Sequence, residues 1–90
     1  MRSDDTNPTD PEALALAALG WTLGEEARAQ RLLALTGLDP AALRERIGEP
    51  GLLASILAFL ESHEPDLLAC AESLGVAPHD LADARRRLEG

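Results

Sequence analysis

The chain has 90 residues and a formal net charge of −8, so it forms one domain with a modest core, and its acidic surface repels nucleic acids and anionic membranes. Its hydrophobic fraction of 46% excludes a disordered chain, and all eight of its cations are arginines. Leucine and alanine dominate, whereas valine occurs once and isoleucine twice, which favours helices over strands. We therefore predict an all-α fold, a compact bundle of five to six short helices.

The sequence also carries signals about location. The first eight residues are polar and acidic, so we expect a disordered tail over residues 1–8. They also lack the apolar stretch of a secretory signal. The longest apolar run, residues 13–19, is far too short to span a membrane. Cys70 is the single cysteine and has no partner for an internal disulfide. We expect a cytoplasmic protein without membrane contact.

The first predicted helix has a complete start signal. Thr9 caps it, Glu12 follows three residues later, and Pro11 lies in the first turn, where its missing N–H costs nothing. The helix continues to about Leu23, and Gly24 ends it.

Two more helices complete the first half of the chain. Residues 25–36 form the second helix, which Gly37 ends as a left-handed cap. Asp39 and Pro40 then begin a short third helix that ends near Gly48.

The second half repeats this pattern of starts and stops. Its three helices are predicted over residues 50–62, 65–74 and 78–88, and Gly75 ends the middle one. Across the chain, five of the six prolines lie where a first-turn proline is tolerated: Pro11, Pro40, Pro50, Pro65 and Pro78.

The turn that contains Gly37 recurs around Gly75, with glycine, proline and leucine in register at a numbering offset of 75 − 37 = 38. Pro11 and Pro50 pair at nearly the same offset, 50 − 11 = 39. Recurrence at a fixed period indicates a duplicated structural unit. Two such units cover each other's apolar faces when they dock. We predict a single helical domain over residues 9–90, made of two pseudo-symmetric three-helix units at about 9–48 and 49–88.

The first helix is apolar on two sides, which is typical of a central helix or of one that meets a partner. At the offset of 39, the strong apolar stripe of the fourth helix, Ile56, Leu57 and Leu60, matches one of these sides. We predict that this side is buried: Leu14, Ala17, Ala18 and Trp21. The other side is predicted to be partly exposed and is our candidate interaction surface: Leu16, Leu19 and Leu23.

The helix–glycine–helix turns also fit a helix-turn-helix nucleic-acid-binding protein. Asp80 and Asp83, however, lie where the second helix of such a motif would meet DNA, and phosphate contacts require Lys or Arg. The one basic cluster, residues 85–87, lies in a last helical turn, where the helix dipole favours cations in any case. Nucleic acid is therefore the alternative partner rather than the leading one.

Patterns for catalysis and metal binding are weak. His63 and Glu64 begin like a zinc-protease helix, but Leu67 stands where the second histidine belongs, and Pro65 would break the helix. Cys70 falls on an apolar stripe, which is typical of a core residue. We expect no enzymatic activity, no metal and no cofactor; only an active site assembled from residues distant in sequence would escape this expectation.

The segment Leu-Thr-Gly-Leu-Asp-Pro at residues 35–40, with residues 12–21, 57–60 and 75–78, resembles the bacterial family catalogued as domain of unknown function 3572. The similarity extends over about residues 10–88. It implies a small cytoplasmic bacterial helical protein and brings no activity, cofactor or catalytic residue. In the second turn, Ala77 stands where the first has Asp39, so we expect that turn to lack the aspartate cap.

Apolar surface without recognisable chemistry is typical of a binding module. We therefore expect a non-catalytic protein–protein interaction or regulatory module that binds an unknown protein partner or a second copy of itself. The alternative is a helix-turn-helix nucleic-acid-binding protein.

Overall fold

The computed structural model describes residues 10–90, which form six helices and no strand. The expected all-α bundle is confirmed, and the predicted helix ends agree with the observed ones to within about three residues. The predicted tail over residues 1–8 lies outside the described residues. The helices are α1 (Pro11–Leu23), α2 (Glu26–Thr36), α3 (Pro40–Glu45), α4 (Pro50–Glu61), α5 (Glu64–Leu74) and α6 (Pro78–Glu89).

Short polar side chains cap the starts of two of the helices, α1 and α3. The N-cap of α1 is Asp10, whose carboxylate accepts a hydrogen bond from the Ala13 amide at 3.3 Å, so the predicted cap at Thr9 is wrong. Aspartate at this position satisfies the free amide directly, and Thr9 lies outside the described residues. Asp39 caps α3 in the same way, through the Ala42 amide at 2.8 Å.

The start of α6 uses the reverse arrangement. Ala77 is its N-cap and has no side-chain acceptor, as expected from the sequence. The carboxylate of Asp80 instead accepts a hydrogen bond from the Ala77 amide at 2.9 Å. Asp80 therefore supplies half of a capping box and ties the turn to the helix from inside.

The core lies where α1, α4 and α6 pack against one another. Helix α2 packs on α1 and α4, and α5 packs on α1, α4 and α6, while α3 contributes one buried side chain, Leu43. Helix α4 is the most deeply buried element, because seven of its twelve residues are buried: Leu52, Leu53, Ala54, Ile56, Leu57, Phe59 and Leu60.

The buried residues of α1 and α4 obey one offset. Every buried position of α1 has a buried counterpart at the numbering offset of 38: Leu14 and Leu52, Ala15 and Leu53, Ala18 and Ile56, Leu19 and Leu57, Thr22 and Leu60. Leu32 of α2 and Cys70 of α5 are related in the same way. The duplication itself stays a prediction, which superposition of residues 10–48 on residues 49–88 tests. Unrelated crossing angles of α2 with α3 and of α5 with α6 would contradict it.

Candidate functional site

The outer side of α1 carries only part of the predicted interaction surface. Leu16 and Leu23 are 38% and 42% exposed, as expected. Leu19 is only 3% exposed and belongs to the core, so its place in the candidate surface is wrong. Ala17, predicted to be buried, is exposed, and Trp21 is half-buried against the core.

A register error of one residue explains the mistake about Leu19. The offset of 39 aligned Leu57 with Ala18, whereas the offset of 38 shared by the glycine turns aligns it with Leu19. One residue rotates a helical position by about 100°. The side that α1 buries is therefore centred between the two sides that the sequence distinguished.

A largely apolar groove of about 520 Å³ lies open between α2 and α4. Leu35 and Leu38 line one wall of the groove, and Leu52 and Phe59 line the other. Arg46, in the loop after α3, lines one end. A shallower continuation at the other end adds Arg31. A cleft of this size lies within the range of about 300–1,000 Å³ that is usual for binding sites.

Leu35 is the most exposed leucine of the described chain, with 66% of its surface accessible. It lies at the mouth of the groove, next to Phe59, which is 8% exposed. Sequence reasoning did not single it out, because Leu35 follows the buried Leu32 at a helical spacing of three. The repeat offers the missing signal: at the offset of 38, the matching position is Ser73, which is exposed and polar. Leu35 is thus an apolar residue at an outward position.

The floor of the groove is a face of small residues along α4. Gly51, Ser55, Ala58 and Ser62 are all exposed, at spacings of four, three and four residues. Both hydroxyls bond to the helix itself: Ser55 Oγ donates to the Gly51 carbonyl at 3.0 Å, and Ser62 Oγ donates to the Phe59 carbonyl at 2.7 Å. Because these hydroxyls already have acceptors, an apolar ligand can cover them at little cost.

Arginines stand at both ends of the groove. Arg31 donates from Nη2 to Asp66 at 2.8 Å, and Arg46 donates from Nε to Glu49 at 3.0 Å. About half of each arginine side chain remains exposed, 51% and 47%. The groove therefore combines an apolar interior with solvent-accessible guanidinium groups at its two ends.

Trp21 serves the fold rather than this groove. The guanidinium of Arg28 lies 3.7 Å from the centre of the Trp21 ring and donates from Nη2 to the Trp21 carbonyl at 2.7 Å. Arg28 also pairs with Glu25 at 2.9 Å. The cation and the ring together close the C-terminal end of α1 against α2.

Cys70 is a core thiol, as the sequence predicted. It is fully buried, and this burial raises its pKa from 9.0 to about 11, with the nearby Arg28 opposing and Asp66 reinforcing the change. A neutral thiol is a weak nucleophile, so Cys70 stays unreactive near neutral pH.

The basic cluster of α6 is engaged in ion pairs. Arg85 donates from Nε to Glu61 of α4 and from Nη1 to Glu89, and these hydrogen bonds raise the pKa of Arg85 above its usual value. Arg86 pairs with Asp83 at 3.3 Å. The turn that precedes α6 has the expected packing, with Leu81 fully buried. The positive charges of Arg85 and Arg86, at the other end of α6, are nevertheless partly neutralised by these neighbouring acids.

Within residues 10–90, no group of three or more His, Cys, Asp or Glu is placed to hold a metal ion. His63 and His79 each lie near an aspartate, Asp66 at 4.0 Å and Asp80 at 3.4 Å. No helix of the described part has the length and apolar character that crossing a membrane requires.

One family model matches the chain, over residues 8–90, and its description reads protein of unknown function (DUF3572). The match covers the whole described bundle and agrees with the resemblance seen in the sequence. No curated protein and no solved structure gives a significant match.

Proposed function

We propose that this chain, which belongs to the DUF3572 family, is a non-catalytic protein–protein interaction or regulatory module that binds its partner in the groove between α2 and α4. The observation that carries the proposal is the 66% exposure of Leu35 at the mouth of that groove. Burial of a leucine side chain stabilises a complex by roughly 1.5–3 kcal/mol. A partner that covers Leu35 gains this energy.

The character of the groove favours a protein segment over a polar metabolite. Its walls are leucine and phenylalanine side chains, and its serine hydroxyls are satisfied by their own helix. A polar ligand would find few free hydrogen-bonding groups between the two terminal arginines. An amphipathic helix can lay its apolar face in such a cleft and leave its polar face in water.

The alternative is a helix-turn-helix nucleic-acid-binding protein. It is supported by the turn around Gly75 and by the arginines at the end of α6. The acidic side chains of Asp80 and Asp83 near the start of α6 oppose it, because phosphates would meet negative charge there. The ion pairs of Arg85 with Glu61 and Glu89 weigh in the same direction.

The proposal includes a cytoplasmic location and a bacterial origin, as the family resemblance implies. Cell fractionation with an antibody against the protein tests the location.

Affinity capture from the organism's own lysate tests the function. The bait is the folded protein, compared with Leu35→Asp and with Leu68→Asp as a matched control, since Leu68 is 48% exposed on α5 and outside the groove. We expect the wild type and Leu68→Asp to capture the same partner protein and Leu35→Asp to fail to capture it. Equal capture by all three baits, or capture of nucleic acid alone, would contradict it.

A further inference from the structure

The uncovered apolar surfaces of the described chain include the outer ridge of α1, with Leu16 and Leu23, and the groove beside Leu35. We propose that each covers the other between molecules, so that α1 of one copy docks in the α2–α4 groove of a second copy. The inference rests on the proposed function because it uses the same groove. It names the occupant, which the proposed function leaves open.

The dimensions of the two surfaces agree. Leu16 and Leu23 are seven residues apart, about 10 Å along a helix. The groove follows α4 from Gly51 to Ser62, about 16 Å at the same rise per residue. Both leucines of one ridge therefore fit within one groove.

Small residues let the two helices approach closely. Gly20 lies between the two leucines of the ridge, and the space around its Cα is open, with no neighbouring atom within 4 Å of an added Cβ. The facing helix carries only small side chains along the groove floor, such as Ala58. The distance between packed helices is set by the side chains at their contact, so this pair can approach near the lower end of the usual range of about 8–10 Å.

The charges at the ends are complementary. Glu12 lies in the first turn of α1, Glu26 begins α2 three residues after α1 ends, and both are exposed. Arg46 and Arg31 flank the groove. Arg46 already pairs with Glu49 and Arg31 with Asp66, so an acid of the docked helix would share its arginine with an acid beside the groove. A guanidinium has five N–H donors, so one ion pair leaves donors for a second carboxylate.

The net charge of −8 on each copy opposes this contact. At an ionic strength of about 0.15 M, salt screens this repulsion between charges that are more than roughly 8 Å apart. The ion pairs at the ends add little affinity, because exposed ion pairs contribute only about 0–1 kcal/mol each. The apolar contact must therefore supply most of the affinity. We expect association to be weak in low salt and to strengthen as salt is added, the opposite of an interface held together by ion pairs.

The ridge and the groove are different surfaces, so the contact is heterologous. Sedimentation velocity of the full chain, from micromolar to millimolar concentration, tests it with three variants. Wild type and the control Leu68→Asp should associate with similar affinity. Leu35→Asp and the double variant Leu16→Asp/Leu23→Asp should each associate with an affinity at least about tenfold lower.

Mixing the two defective variants provides the decisive arm. The double variant keeps an intact groove and Leu35→Asp keeps an intact ridge, so the mixture should form a 1:1 heterodimer. Its formation also shows that both variants are folded. A monomeric wild type at every concentration, undiminished association of Leu35→Asp, or the absence of the heterodimer between variants with native circular dichroism would overturn the proposal. A monomeric wild type that still captures another protein through Leu35 would overturn this inference alone and leave the proposed function standing.

Discussion

Gly37 and Gly75 end α2 and α5 in the same left-handed conformation, with φ of 73° and 74°. Their hydrogen bonds differ. The Gly37 amide donates to the Leu33 carbonyl at 2.8 Å. At the second turn, the Val76 amide donates to the Ala71 carbonyl at 3.0 Å, and the Gly75 amide donates to the Glu72 carbonyl at 3.2 Å. The first pattern is a simple left-handed cap and the second is a Schellman motif. The prediction that both glycines have positive φ is confirmed.

These two caps predict a clear sign for alanine substitutions. Nothing lies within 4 Å of an added Cβ at either glycine, so the cost of alanine is the backbone conformation alone. Gly37→Ala and Gly75→Ala should each lower the free energy of unfolding by about 1 kcal/mol. Gly20→Ala, in the exposed middle of α1, should raise it by roughly 0.5–1 kcal/mol. Urea denaturation measures all three, and a destabilising Gly20→Ala would contradict this expectation.

Helix ends were predictable because single residues determine them. A proline in the first turn or a glycine at the end acts through its own backbone, whatever the tertiary contacts are. The rotation of α1 about its axis was not predictable in the same way. Alanines and leucines occur on all its sides, so the side that faces the core depends on which helices surround it. An alignment error of one residue was enough to move Leu19 to the wrong surface.

The corrected orientation of α1 predicts unequal effects along that helix. Leu19→Ala should lower the free energy of unfolding by about 2–5 kcal/mol, because the side chain is in the core and its removal leaves a cavity. Leu16→Ala, on the exposed side, should cost less than about 1 kcal/mol. Chemical denaturation of both variants checks the difference. Similar losses for the two would show that the orientation of α1 is wrong.

The groove was beyond sequence reasoning for a different reason. Leu35 of α2 and Phe59 of α4 both line it, and such a meeting of two helices is not encoded in the periodicity of either one. Only the comparison of Leu35 with Ser73 marks the site, and it requires the two halves of the chain to be aligned at the offset of 38 rather than 39.

Cys70 predicts how stability depends on alkaline pH. The chain has no lysine or tyrosine, so this thiol is its one side chain that titrates between pH 9 and 11. Burial raises its folded pKa from 9.0 to about 11, so the unfolded chain loses the proton first. We therefore expect the thiol's contribution to the free energy of unfolding to be fully present below pH 9. It should be lost as the pH rises to about 11, which lowers the free energy of unfolding by roughly 2–3 kcal/mol.

The control for this pH dependence is Cys70→Ala, which removes the titrating group. Its free energy of unfolding should be lower than that of the wild type at pH 7, but nearly constant between pH 9 and 11. A wild-type curve that is flat over this interval, or a variant curve with the same fall, would assign the effect to other groups.

The charge distribution predicts no specific binding of DNA. In low salt, fluorescence anisotropy with duplex oligonucleotides should detect nothing tighter than the weak non-specific range, about 10⁻⁴ M. The acids around α6 and the ion pair of Arg85 with Glu61 are the physical reason. Submicromolar affinity that weakens steeply with added salt would instead favour the helix-turn-helix alternative.

Site-specific photo-crosslinking in living cells tests the proposed binding groove most directly. A photoreactive amino acid replaces Leu35 in one strain and the exposed control Leu68 in another, and adducts are identified by mass spectrometry. We predict defined protein adducts at position 35, with a partner or with a second copy, and none of them at position 68. No protein adduct at position 35, or the same adducts at both positions, would contradict the claim that the groove between α2 and α4 is the binding surface.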